Sequence, residues 1–237
     1  MALSHNPRIV TDGLVLCLDA ANPKSYPGSG TTWYDLSGNG NNGTLVNGVG
    51  YNSGNGGSLS FDGSNDTSDF GNILQLGTES ITYCFWYKMN STTQINSAFL
   101  ISKTDNGVTA YRQALGFQSN GNFYIILRGQ SNTTYDLNPT NPKLDTNWHY
   151  LVWVINRTSS YFLYQDTILL GSLSISAISG QNFQLNRPLR IGSYNSLSND
   201  PILFFNGNIA QVSIYNKALT AQEIKQNYNA LKGRFNL

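Results

Sequence analysis

The chain has 237 residues, of which 11% are charged, and a formal net charge of +1. That length suits one all-β unit with a continuous core, so neither a metal nor a disulfide is needed merely to fold. The sparse charge excludes a nucleic-acid footprint, which needs Lys and Arg gathered on one face, and no stretch reaches the roughly 18 consecutive apolar residues of a membrane span.

Residues 1–12 read as an extended tail ahead of one domain over 13–237. The tail has no basic segment leading into an apolar one, so no secretory signal is expected and synthesis would be cytoplasmic. From there, period-two alternation broken by Gly, Asn and Ser predicts strands over 13–20 and 58–62. The clearest strand spans 81–88: Ile81, Tyr83, Phe85 and Tyr87 share one face, Cys84 and Trp86 the other. Both faces are apolar, as in a strand covered on both sides.

Further strands are predicted over 97–102, 111–118, 122–128, 148–155, 160–166, 168–171, 188–194 and 205–215. Asn106-Gly107, Asn120-Gly121 and Asn206-Gly207 mark turns, and Gln118–Asn122 reads as a hairpin loop. Trp86, Trp148 and Trp153 fall within strands and read as core. Cys17 and Cys84 read as buried free thiols, with a disulfide open to them only if their strands are neighbours.

One helix follows. Thr220 and Glu223 fit a capping box, and Leu219 and Ile224 a hydrophobic staple. Ile224, Tyr228 and Leu231 form an apolar stripe, and Gly233 is the expected C-cap. Lys225, Lys232 and Arg234 then read as cations favoured near a helix end. Many strands and one helix predict an antiparallel two-sheet sandwich or barrel.

Four segments in order carry a family resemblance. They are Gly13-Leu-Val-Leu-Cys-Leu-Asp-Ala-Ala-Asn22, Asp35-Leu-Ser-Gly-Asn-Gly-Asn-Asn-Gly-Thr44, Ser58-Leu-Ser-Phe-Asp-Gly-Ser-Asn-Asp66 and the ending from Phe205 to Ile224. Together they resemble laminin-G-like jelly rolls of the concanavalin A-like lectin/glucanase superfamily, over about residues 13 to 235. The resemblance implies an all-β, antiparallel two-sheet jelly-roll sandwich with one short C-terminal α-helix. The opening Ser4–Val15 and Lys24–Trp33 are similar to stand-alone versions of this domain in structural proteins of tailed bacteriophages. That implies a place on the virion surface, as capsid decoration or as a fibre or adhesin component. The partners would be other virion proteins, reached through residues 1–12, with room for homo-oligomers and for glycans.

The chemistry is sparse. Glycosidases of this superfamily use paired carboxylates on a strand face, whereas the only glutamates are Glu79, without a partner at strand spacing, and Glu223, used by the cap. His5 lies in the tail. His149 reads as a strand residue that nothing nearby in sequence would orient as a base. No nucleophile elbow, P-loop or zinc spacing is present. A structural calcium ion is the one cofactor the resemblance suggests, with Asp19 and Asp62 as ligands. The last strand reads Ile209-Ala210 where relatives carry Ile-Asp, and Asp62 has a competing role as a turn cap. Glycan contacts, if made, fall to Tyr26, Trp33, Tyr34, Tyr135, Tyr194 and Asn195, each of which could equally cover the sandwich edge. With the sparse chemistry, the resemblance therefore implies a non-enzymatic virion surface protein with a lectin-like fold, or else a carbohydrate-binding module for host or environmental polysaccharide.

Overall fold

The computed structural model describes residues 8–75, 77–94, 96–104, 111–129, 133–137, 139–196 and 198–237. His5, most of the predicted tail and the Asn106-Gly107 turn lie outside them. The strands are, in chain order, β1 (Leu14–Asp19), β2 (Thr32–Trp33), β3 (Gly43–Val46), β4 (Gly50–Asn52), β5 (Ser58–Asp62) and β6 (Thr67–Asp69). Next come β7 (Ile81–Met89), β8 (Ala98–Thr104), β9 (Arg112–Phe117), β10 (Phe123–Arg128), β11 (Thr134–Tyr135) and β12 (His149–Ile155). The rest are β13 (Ser160–Gln165), β14 (Ile168–Ser174), β15 (Arg190–Ile191), β16 (Tyr194–Asn195), β17 (Pro201–Ile202) and β18 (Asn206–Tyr215), followed by α1 (Ala221–Leu231).

They form two antiparallel eight-stranded sheets. One runs β14-β13-β12-β7-β18-β5-β4, with β1 also on β18; the other runs β11-β10-β9-β8-β15-β6-β3-β2. The inward faces meet in one large core that includes Tyr83, Phe85, Tyr87, Leu115, Leu151 and Trp153. Cys84 and Trp86 face the other way, into a second apolar layer with Tyr150, Ile224 and Phe235. The double-sided character of β7 is thus used on both sides. This is the jelly-roll sandwich that the family resemblance implies.

Departures from the predicted elements have local causes. Strands β2, β3, β4, β6, β11 and β17 are only two to four residues long, too short to show alternation. The strand expected over 188–194 is split, because Gly192 adopts φ +86°. A Cβ there would stand 2.5 Å from the Phe61 ring. The chain therefore leaves the second sheet after β15, and β16 pairs with β17 as a separate ribbon.

The capping box is present: Thr220 Oγ1 accepts from the Glu223 N–H at 3.2 Å, and Glu223 Oε2 accepts from the Thr220 N–H at 2.8 Å. Leu219 and Ile224 are both buried. Gly233 is not the C-cap. The helix runs on into a 3-10 turn over Lys232–Phe235, and the left-handed residue is Asn236. The described end of the tail is held rather than free. Val10 is buried, donates its N–H to Asn227 Oδ1 at 2.7 Å and accepts from the Tyr215 hydroxyl at 3.0 Å.

Cys17 and Cys84 are free and buried. Each stands opposite Ser213 of β18, on either side of it. Two inter-strand spacings, roughly 10 Å, separate them, beyond the roughly 7 Å Cα limit of a disulfide. The alternative of a bridge is closed by register.

Candidate functional site

The six residues expected to touch glycan do not converge. Trp33 is fully buried, and Tyr26, Tyr194 and Asn195 are buried as well. Tyr26 donates its hydroxyl to the Gly30 carbonyl at 3.1 Å and packs on Tyr51. Tyr194 packs on Phe99 with ring centroids 4.8 Å apart, and Asn195 Nδ2 donates to the Pro188 carbonyl at 2.9 Å. Tyr26, Trp33 and Tyr194 each pack into an apolar cluster, and Asn195 is held by a backbone carbonyl. Tyr34 is exposed and Tyr135 half-buried. They belong to opposite edges of the second sheet, beside β2 and in β11, on the order of 30 Å apart at the usual strand spacing.

Asp19 and Asp62, the expected calcium ligands, are not brought together at one site. Asp19 Oδ1 accepts from Arg234 Nη1 at 2.8 Å and from the Ala21 N–H at 3.0 Å. Asp62 Oδ1 caps its turn through the N–H groups of Ser64 (2.7 Å) and Asn65 (3.2 Å). Asp19 stands opposite Gln211 and Asp62 opposite Asn206. That places them roughly 15 Å apart along β18, whereas ligands of one ion must meet at about 2.4 Å from it. Among the described residues no group of three or more His, Cys, Asp or Glu could hold a metal.

The polar chemistry gathers elsewhere, where β7 ends and β12 begins. His149 is buried with Nδ1 2.9 Å from Asp166 Oδ2 and Nε2 3.0 Å from Asp145 Oδ1. Asp166 sits in the β13–β14 turn, where Asp166 and Thr167 take φ +50° and +72°. Both central residues with positive φ make the tight turn of a two-residue hairpin. A β-branched Thr there is strained. The turn brings Asp166 within 3.1 Å of Lys143 Nζ and 3.0 Å of the Tyr150 N–H.

Burial alone would lower the His149 pKa, but hydrogen bonds and charge from Asp166 and Asp145 outweigh it and raise it. Burial would likewise raise the two carboxyls, yet both end below their ordinary value. Asp166 is held down by His149, Tyr150 and Lys143, and Asp145 by the Asn147 N–H and His149. Imidazolium between two carboxylates is the favoured state, since charge-assisted hydrogen bonds strengthen in a poorly solvated site.

This knot lines an open cavity of about 500 Å³ with Lys88, Asn147, Trp148 and the C-terminal Phe235–Leu237. Trp148 is half-buried rather than core, because it stands just before β12 at the sandwich end. Its indole N–H donates to Asn55 Oδ1 at 3.1 Å, and its ring packs on Phe235 with centroids 4.8 Å apart. The cavity thus offers a fixed aromatic wall, an ionised carboxylate (the Asp145 side chain is 42% exposed), an amide and two ammonium groups. Such a mix suits a ligand with an apolar face and hydroxyl edges. His149 has no ring nitrogen left to act as a base, and its ring fills the space between the carboxylates where a scissile bond would lie.

Asp145, Asp166, Lys143, Lys88 and Asn147 were not singled out by sequence. The available signal was Asp145 four residues before His149, which does orient it, contrary to expectation.

In comparisons with known proteins, no curated protein matches the sequence. Among solved structures, the binding domain of Paraclostridial Mosquitocidal Protein 1 superposes with a TM-score of 0.72 at 16% identity, over 93% of this chain and 52% of that one. The receptor-binding domain of botulinum neurotoxin C/D mosaic serotype gives 0.69 at 18% identity, over 92% and 51%. The binding domain of botulinum neurotoxin DC in complex with SialylT gives 0.70 at 17% identity, over 93% and 52%. The chain spans about half the length of these structures, and at such identities the likeness is one of fold. The family described as Concanavalin A-like lectin/glucanases superfamily matches residues 62–225, more than half of the chain, from the last residue of β5 into α1. The chain belongs to that superfamily.

Proposed function

We propose that this protein is a non-enzymatic recognition domain that binds glycan in the cavity beside Trp148. The observation that carries the reading is the Asp145 carboxylate, fixed by His149 and the Asn147 N–H and standing beside the pinned Trp148 ring. A carboxylate held ionised and in place accepts sugar hydroxyl protons without reorganising, and the indole supplies the apolar face. Support comes from the fold, which is that of toxin binding domains, one of them captured with SialylT.

The test is a printed array of bacterial surface polysaccharides probed with wild type, Trp148→Ala and Asp145→Ala. Binding that falls at least tenfold in both variants, about 1.4 kcal/mol, with unchanged circular dichroism, supports the site. A silent array with folded protein removes the reading.

The proposed setting is a virion surface, as decoration or as a fibre or adhesin component. The motivation is the phage-like opening of the sequence, Ser4–Val15 and Lys24–Trp33. Since Arg8 and Val10 are held by Gln226 and Asn227 of the domain's own helix, residues 1–7 are the part of the 1–12 tail proposed for attachment. Mass spectrometry of purified particles tests the location, and absence of the chain from them overturns it.

A further inference from the structure

A second cavity, of about 250 Å³, opens at the same end of the sandwich as the Trp148 cavity. Ser64, Gln94, Asn96, Ser97 and Asn206 supply amides and hydroxyls to its wall, and among the described lining residues none is ionisable. Ile202, which is 38% exposed, and the half-buried Phe204 supply the apolar part. Between them Leu203 takes φ +55°, a left-handed conformation that an apolar non-glycine residue adopts only at a cost. It is held there by the Phe99 N–H, which donates to the Leu203 carbonyl at 3.2 Å. Gln94, 6% exposed, accepts from the Asn206 N–H and fixes the floor.

The two cavities are joined by polar side chains. Lys88 lines the first and stands opposite Asn208 in the β7–β18 ladder. Asn208 Nδ2 donates to Asn90 Oδ1 at 3.2 Å, and Asn90 Nδ2 donates to Asn206 Oδ1 at 2.8 Å. Asn206 lines the second cavity. Two residues along β18 and one strand spacing make this strip about 10 Å long, wider than one sugar ring.

Resting on the glycan reading above, we infer that the ligand is an extended oligosaccharide lying along this end of the sandwich. One unit sits against Trp148 and Asp145, and an uncharged unit sits in the cavity of Asn96 and Ile202. Asn90 and Asn206, the accessible members of the amide strip, hydrogen-bond the linkage between them. A neutral unit is specified because a charged one would lose hydration in the second cavity without gaining an opposite charge.

The experiment takes the polysaccharide that binds on the array, hydrolyses it to fragments graded from the monosaccharide upward, and measures each by calorimetry. Wild type, Asn96→Ala and Ile202→Ser are compared; both changes are on exposed side chains. Affinity should climb with fragment length and then level off. Each variant should weaken the long fragments by roughly tenfold and leave the monosaccharide unchanged. If the monosaccharide binds as tightly as the longest fragment, or both variants bind long fragments like wild type, the extended mode falls while Trp148-dependent binding stands. A silent array with folded protein overturns both.

Discussion

His149 is buried and yet favoured in its charged form, because carboxylates meet both ring nitrogens. Its pKa is raised from 6.5, so its stabilising contribution is complete below about that pH and is lost as pH rises through the higher folded value. Asp145 and Asp166 are lowered from 3.8, so their contribution is present above that pH and is lost as pH falls through the lower folded values. The knot is therefore strongest between these limits. With two histidines in the chain, a proton NMR titration reads His149 directly. It should titrate above 6.5 in wild type, and Asp166→Asn should bring it down. The same variant should cost on the order of 3 kcal/mol in urea unfolding, as breaking a buried pair does. A wild-type value below 6.5 would contradict the knot. Asp145 was missed in the sequence although it lies only four residues away. The sequence could not show Asp166, which arrives only through the β13–β14 turn. The buried aromatics fail for the opposite reason: Trp33 and Tyr194 look like loop residues, but their loops are folded against apolar surface.

Elements were legible in proportion to their length. The ten-residue β18 and nine-residue β7 show several periods of alternation, and the capped α1 shows its start in two residues. The Gln118–Asn122 turn closes as expected, with the Gln118 N–H donating to the Asn122 carbonyl at 2.7 Å. The two-residue β2 and β11 exist only because longer strands offer them an edge. Helix α1 seals the second apolar layer over Trp86, whose ring stacks on Tyr228 and Phe235. Thr220→Ala removes a cap and should cost about 1 kcal/mol. Because α1 also holds Val10 through Asn227, the loss should appear in hydrogen exchange as faster exchange of the Val10 amide together with the first turn of the helix. Unfolding free energy unchanged within error would mean that the packed stripe, not the cap, determines the helix start.

Across the whole molecule, β18 is the shared member of the first sheet, paired with β7 on one side and with β1 and β5 on the other. The two thiols report on both sides of it, since Cys17 and Cys84 flank Ser213. Burial pushes both thiols up to about 12, so neither reacts as a thiolate while the sheet is closed. A thiol reagent added to native protein should therefore label almost nothing, and denaturant should release two equivalents. If the sheet opens as one cooperative unit, the labelling of both cysteines in rising denaturant converges on a single opening free energy. Mass spectrometry of the labelled peptides distinguishes the alternatives. Earlier labelling of Cys17 would show that β1 peels from β18 before the rest, so that the first strand is a separate unit of stability. Simultaneous labelling would show that β1, β18 and β7 break together, as expected where Cys17 and Cys84 are held on either side of one central strand.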